Sequence, residues 1–225
     1  MSTHPSLARV LLTLVLAAFS SLAHATPSTL VWIPSTDIQA DKTWHLGIDT
    51  FNVPSGGSWP TDYGLTAGLL DGRAEVGVDY FGGAEHPLYF NAKYLVLPES
   101  ESQPAVALGL YNFGTESDAT DFNMIYGLVA RTFDGVRLTA GYCRGNEDAL
   151  GRDPDMLLAG VDGYLTADKK WWGAIDYQSG KNAFGALSFG VAYAFADNVS
   201  VLAGYDVFND SSIDDAITVQ VDISL

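Results

Sequence analysis

The sequence predicts an all-β fold: a single antiparallel up-and-down barrel of about twelve strands. Three observations carry this expectation. From Trp44 onward apolar side chains recur with a period of two, and turn residues interrupt them at short intervals. Short connections alternate with mostly longer, more polar ones along the chain. A residue of the polar slot recurs near the end of every second strand, at Asp49, Asp79, Asn112, Cys143, Asp176 and Asp206, with spacings of 30, 33, 31, 33 and 30 residues, one hairpin per repeat.

Taken in order, residues 1–25 read as a secretory signal peptide. Arg9 precedes an apolar run from Val10 to Phe19, and Ala23-His24-Ala25 supplies the small-x-small exit. The run is too short for a membrane helix, and no Cys follows the exit to carry a lipid. Residues 26–43, "TPSTLVWIPSTDIQADKT", fit no strand because Pro27 and Pro34 break the run. They are expected to be a lead-in outside the barrel, with a segment folded into the lumen as the alternative. Strands are expected at 44–51, 63–69, 74–81, 88–96, 105–113, 122–131, 136–143, 156–165, 171–178, 186–195, 199–207 and 217–225, a barrel over 44–225. "LLDGRA" and "TFDGV" are Asp-Gly hairpin turns. The longer connections lie at the opposite end, among them "NVPSGGSWPTD" and "RGNEDALGRDPD".

The faces of these strands set the orientation. Along 199–207 one face is Val199, Val201, Ala203, Tyr205 and Val207, and the other is Ser200, Leu202, Gly204 and Asp206. The strands at 186–195 and 217–225 divide the same way. A soluble barrel would coat its outer face with Lys, Glu and Arg. Here the less apolar face is Gly, Ala, Ser, Thr and a few Asp, a poor coat for water and a reasonable lining for a small bore. The apolar face is therefore expected to meet lipid, with Asp206 in the lumen, hydrated or paired. Aromatic residues cluster at both ends, Phe51, Tyr80, Tyr111, Tyr142, Tyr177, Tyr205 and Phe208 at one and Trp44, Tyr94, Phe133, Trp171, Trp172 and Phe195 at the other, as two interfacial belts would require. Nine residues at about 3.3 Å with a tilt of roughly 40° give about 23 Å of wall, close to the apolar band of about 25 Å.

With the leader, the row of strands and the final strand "ITVQVDISL", residues 44–225 resemble bacterial outer-membrane β-barrel proteins of the porin-like kind. The resemblance implies an outer-membrane location, contact with outer-membrane lipid, insertion by the barrel assembly machinery, and tight turns on the periplasmic side. Such chains usually end in an aromatic residue; this one ends in Leu225. Strand 105–113 also departs from the pattern. The repeat would turn Val106, Leu108, Leu110 and Asn112 inward, which is too apolar for a wet bore unless a bulge or a one-residue shift intervenes.

A formal charge of −16 makes nucleic acid and anionic lipid surfaces poor partners and favours cations and small solutes. The lone Cys143 excludes an internal disulfide. The expected lumen-lining charges are Asp49, Asp79, Asp162, Asp176, Asp206, Asp222, Glu75, Lys93, Arg131, Arg137 and His45. They describe either a cation-favouring constriction or a salt-bridged filling that conducts nothing. Inward Gly and Ala, including Gly127, Gly160, Gly190 and Gly204, argue for open volume. Acidic loops around Glu116, Asp118 and Asp121, around Glu147, Asp148, Asp153 and Asp155, and around Asp210, Asp214 and Asp215 match no spaced cation-ligand pattern. His45 and His86 are the histidines beyond the leader, and no G-x-S-x-G occurs, so neither an enzyme nor a cofactor is expected. The expected role is a passive, porin-like path for small solutes with mild cation preference. The rivals are a non-conducting structural or surface-interaction barrel and a soluble barrel holding an apolar ligand.

Overall fold

The computed structural model describes residues 28–117 and 119–225. The leader at 1–25 and Asp118 lie outside the described residues. Among the described residues twelve strands form one closed antiparallel barrel. They are β1 (Trp44–Asn52), β2 (Asp62–Leu69), β3 (Ala74–Phe81), β4 (Leu88–Leu97), β5 (Ala105–Gly114), β6 (Met124–Phe133), β7 (Val136–Arg144), β8 (Asp155–Tyr164), β9 (Trp171–Gln178), β10 (Ala186–Ala196), β11 (Val199–Phe208) and β12 (Ala216–Ser224). One helical turn, α1 (Glu147–Leu150), sits in the β7–β8 loop. Each strand pairs with its sequence neighbours, and β1 closes on β12 with Gly47 opposite Asp222. Asp134 and Gly135 both have positive φ (49° and 84°), the geometry that matches a two-residue turn to the twist of its strands.

The apolar faces point outward. Ile125, Leu138, Leu157, Ile175, Phe189 and Ile217 are exposed, while Ser188, Asp206 and Thr218 on the opposite faces have no exposure at all. A soluble barrel with an apolar ligand in its centre needs the reverse arrangement. Two strands read differently from expectation. In β5, Phe90 pairs with Phe113 but Ala92 pairs with Leu110, so Tyr111 and Asn112 together face Asn91. Asn112 takes φ of 53°, and its N–H donates to Asn91 Oδ1 at 3.0 Å, repairing the broken ladder. This bulge turns Ala105 and Ala107 inward and leaves Leu108 outside. In β6, Met124, Tyr126, Leu128 and Ala130 face in, so Gly127 faces out. Both faces of β6 are apolar, so period two marks the strand but not its inner side.

The largest departure is the segment before β1. Residues 28–39 lie inside the bore rather than outside it, and Ala40 and Lys42 are exposed where the segment reaches β1. Leu30 N–H donates to the Ile33 carbonyl (2.8 Å), and Ser35 N–H to the Ser28 carbonyl (3.0 Å), closing a small hairpin with Val31 and Trp32 at its tip. The segment then runs to the tight-turn end, where Lys42 and Thr43 exchange backbone bonds with Gly68. Leu30, Val31 and Ile33 pack with Met124, Leu128, Met156, Leu158 and Leu202 into an apolar core within the barrel. Burying each of these side chains favours the docked state by about 1.5–3 kcal/mol. The inward glycines are part of this fit. A side chain at Gly160 would run into Leu30 Cδ1, and one at Gly190 or Gly204 would press on Val31. These glycines therefore seat the hairpin rather than widen a channel.

Gly160→Leu is expected to destabilise the docked hairpin by about 1–3 kcal/mol through overpacking, with the barrel intact. Chymotrypsin should then cut after Trp32 in the folded variant and not in the parent, as read by mass spectrometry.

Candidate functional site

The hairpin fills the bore along β6–β11, and a cavity of about 550 Å³ remains against β1–β4 and β12. Its wall follows from strand parity. β1 turns His45, Gly47, Asp49 and Phe51 inward, and β3 turns in Glu75, Gly77, Asp79 and Phe81. β2 contributes Asp62, Gly64 and Thr66. Asp49 pairs directly with Asp62 across β1–β2, and Asp79 faces Gly64 across β2–β3. Asp79 accepts a hydrogen bond from the Asn91 amide, whereas Asp62 Oδ1 is buried without a partner among the described residues.

Toward the tight turns the cavity ends on a layer of paired charges. Lys93 Nζ lies 3.0 Å from Glu75 Oε1 and donates to the Ser28 carbonyl at 3.0 Å. Glu75 Oε2 also accepts the Gln39 N–H at 2.7 Å. His45 Nε2 lies 3.0 Å from Asp222 Oδ1, and the Ser200 hydroxyl donates to Asp222 Oδ2 at 3.3 Å. In this trio the carboxylate stands between hydroxyl and imidazole. A nucleophilic triad needs the imidazole in the middle, so Ser200 has no base within this trio.

The remaining expected lumenal residues are divided between the hairpin and the rim. Asp176 Oδ2 accepts the Val31 and Trp32 N–H groups at 2.7 and 3.0 Å, and the Gln220 amide donates to the Val31 carbonyl at 2.9 Å. Arg137 Nη1 donates to both oxygens of Asp37 at 2.7 Å, and Nη2 donates to Thr36 Oγ1 at 3.1 Å. Asp162 accepts from Trp172 Nε1 at 3.1 Å. Asp206 points inward. It is fully buried beside Ser188, its partner across β10–β11. Arg131 is a correction. It shares the outward parity of Ile125 and Val129, and its guanidinium donates to the Ser100 and Glu101 carbonyls at the tight-turn rim. As the lone charge on β6 it suggested a lumenal face, yet the strand end lets it reach polar partners from outside.

Several expected belt aromatics also turn inward. Phe51 and Phe208 join Trp32 and Trp59 in one cluster, with ring centroids 5.0 to 6.4 Å apart. Tyr111 hydrogen-bonds Gln178, and Trp172 serves Asp162. Tyr80, Tyr142, Tyr177, Trp44, Tyr94, Phe133, Trp171 and Phe195 remain outside, at the two ends. Sequence reasoning missed Asp62, Trp32 and Trp59 as cavity residues. Asp62 shares parity with Gly64 and Thr66, so starting the second strand one residue earlier would have found it. The aromatic pair carries no local signal, because both lie outside any strand. Loop acids tie neighbouring loops together as well as capping their own: Asp121 in the β5–β6 loop accepts from Asn146 in the β7–β8 loop, Asp153 accepts from the Lys181 N–H in the β9–β10 loop, and Asp215 accepts from the Phe208 N–H at the end of its own strand. No group of three or more His, Cys, Asp or Glu among the described residues is placed to hold a metal ion.

Lys93→Met should strand a buried Glu75 carboxylate and lower stability by about 3–5 kcal/mol, and adding Glu75→Gln should restore most of that loss. Urea unfolding of the detergent-solubilised barrel measures both.

No family model and no curated protein matches the chain. Solved structures do. The KdgM porin superposes with a TM-score of 0.56 at 12% identity, over 81% of this chain and 99% of that one. The outer membrane protein Omp33 of Acinetobacter baumannii superposes with a TM-score of 0.52 at 9% identity, over 82% of this chain and 99% of that one. At such identities the likeness is one of fold: this chain is a closed antiparallel barrel that superposes on the KdgM porin and on Omp33.

Proposed function

We propose that this protein is an outer-membrane pore that passes small solutes passively and favours cations mildly. The observation that carries the reading is the unfilled half of the bore, where Asp49, Asp62 and Asp79 line a cavity of about 550 Å³ whose basic side chains, Lys93 and His45, are already paired. A low-dielectric wall carrying one sign of charge concentrates counter-ions inside it. The outward apolar strand faces, with aromatic rings at both ends, suit a bilayer. The pattern of residues 1–25 suits export across an inner membrane and removal of the leader. In that setting the partners are outer-membrane lipid, the barrel assembly machinery and small solutes, with the tight turns facing the periplasm.

One feature favours the non-conducting rival. The Glu75–Lys93–Ser28 and His45–Asp222 contacts lie across the tight-turn end of the same cavity. A barrel that keeps this layer closed would serve as a surface scaffold and carry no current.

Recording in planar bilayers under a potassium chloride gradient decides between them. The expected result is stepwise conductance with a reversal potential of the sign set by potassium. The double substitution Asp49→Asn, Asp62→Asn should move that potential toward zero. Chloride preference, or silence from correctly folded protein, overturns the reading.

A further inference from the structure

We infer that the open half of the bore is a binding site for organic ammonium ions that carry an aromatic or bulky apolar body. This rests on the pore reading above and names the solute class of the same cavity.

Asp49 and Asp62 stand directly opposite one another across β1–β2, an arrangement in which like charges repel. Asp79 lies on the next strand and has the Asn91 amide. Asp62 Oδ1 is buried with no partner among the described residues. The cationic groups nearby are committed elsewhere, Lys93 to Glu75 at 3.0 Å and His45 to Asp222 at 3.0 Å. The wall therefore offers three carboxylates without a countercharge of its own, and an ion from outside can supply one.

The aromatic rings above these carboxylates select the kind of ion. Phe51 lies two residues beyond Asp49 on the same face of β1, and Phe81 two beyond Asp79 on β3. Residues so spaced on a strand are about 7 Å apart. A layer of rings thus stands directly on the layer of carboxylates. Trp59 extends it, 5.8 Å from Phe51 and 6.4 Å from Trp32, and Tyr89 stacks on Phe122 at 6.3 Å on the other side. Ring faces attract a partly desolvated ammonium and bury its apolar body, whereas a hydrated alkali ion gains little from them. A volume of about 550 Å³ accommodates a molecule of small-drug size. The ammonium head sits at Asp49 and Asp62, and the body lies toward the long loops between Trp59 and Tyr89.

Titration of the folded, detergent-solubilised protein with benzyltrimethylammonium, tetramethylammonium and the neutral 3-phenyl-1-propanol tests this by calorimetry and by tryptophan fluorescence. Benzyltrimethylammonium should bind roughly tenfold or more tightly than either control. Asp49→Asn with Asp62→Asn should erase its margin over the alcohol, and Trp59→Leu its margin over tetramethylammonium. Equal binding by either control overturns the inference, as does a margin that survives Asp49→Asn with Asp62→Asn. The comparison of probes on the parent protein stands even if a variant fails to fold. Conductance in potassium chloride, measured on the same sample, separates the two readings. Current without a probe margin overturns the ammonium site alone. A margin without current supports the site and overturns the pore.

Discussion

The carboxylate of Asp176 holds the tip of the inner hairpin through the backbone N–H groups of Val31 and Trp32, and the interior is arranged around that contact. Those N–H groups sit at a hairpin tip, where no strand partner can satisfy them. A buried carboxylate likewise needs donors. Asp176 Oδ2 satisfies both N–H groups and so offsets part of the desolvation cost on each side, hydrogen bonds to a charged acceptor stabilising by about 1.5–3 kcal/mol, while Asp176 Oδ1 is buried without a partner among the described residues. Ordering the segment costs about 1–2 kcal/mol per residue in backbone entropy. The polar latch therefore works together with the apolar contacts of Leu30, Val31 and Ile33 and with the Arg137–Asp37 pair.

This docking splits the bore into two chemical environments. On the β6–β11 side it is filled, and inward Met124, Leu128, Met156, Leu158 and Leu202 pack with the hairpin as ordinary core residues there. Such residues would be misplaced in a water-filled pore. On the β1–β4 side it is open, acidic and ringed by aromatics. The charges sort accordingly. Asp162, Asp176 and Arg137 serve the hairpin and the wall it packs on, Glu75, Lys93, His45 and Asp222 close the tight-turn end, and Asp49, Asp62 and Asp79 face the cavity.

Twelve strands, their order and the outward apolar faces were legible in the sequence because each rests on local chemistry. Period two reports a pleated strand with unlike faces, and Asp-Gly pairs such as Asp134-Gly135 report tight turns. Legibility fails where the two faces of a strand resemble each other. In β6 the lone charge, Arg131, pointed to the wrong side because a rim residue can reach carbonyls from outside the bore. In β5 the alternation carried a warning, since an apolar inner face at Val106, Leu108 and Leu110 made no sense for a wet lumen, and the bulge at Tyr111 and Asn112 resolves it.

The sequence by itself determined the barrel, its strand order and its inside-out polarity, because those follow from alternation along each strand and from turns between neighbours. Only the tertiary structure decided what fills the barrel. The stretch 26–43 has no periodicity, and the seat of residues 30–33 within it is assembled from Asp176, Gln220, Gly160, Gly190 and Gly204, residues that meet only once the sheet has closed. The hairpin's position is a property of the closed ring and of no single strand, so no local pattern could carry it.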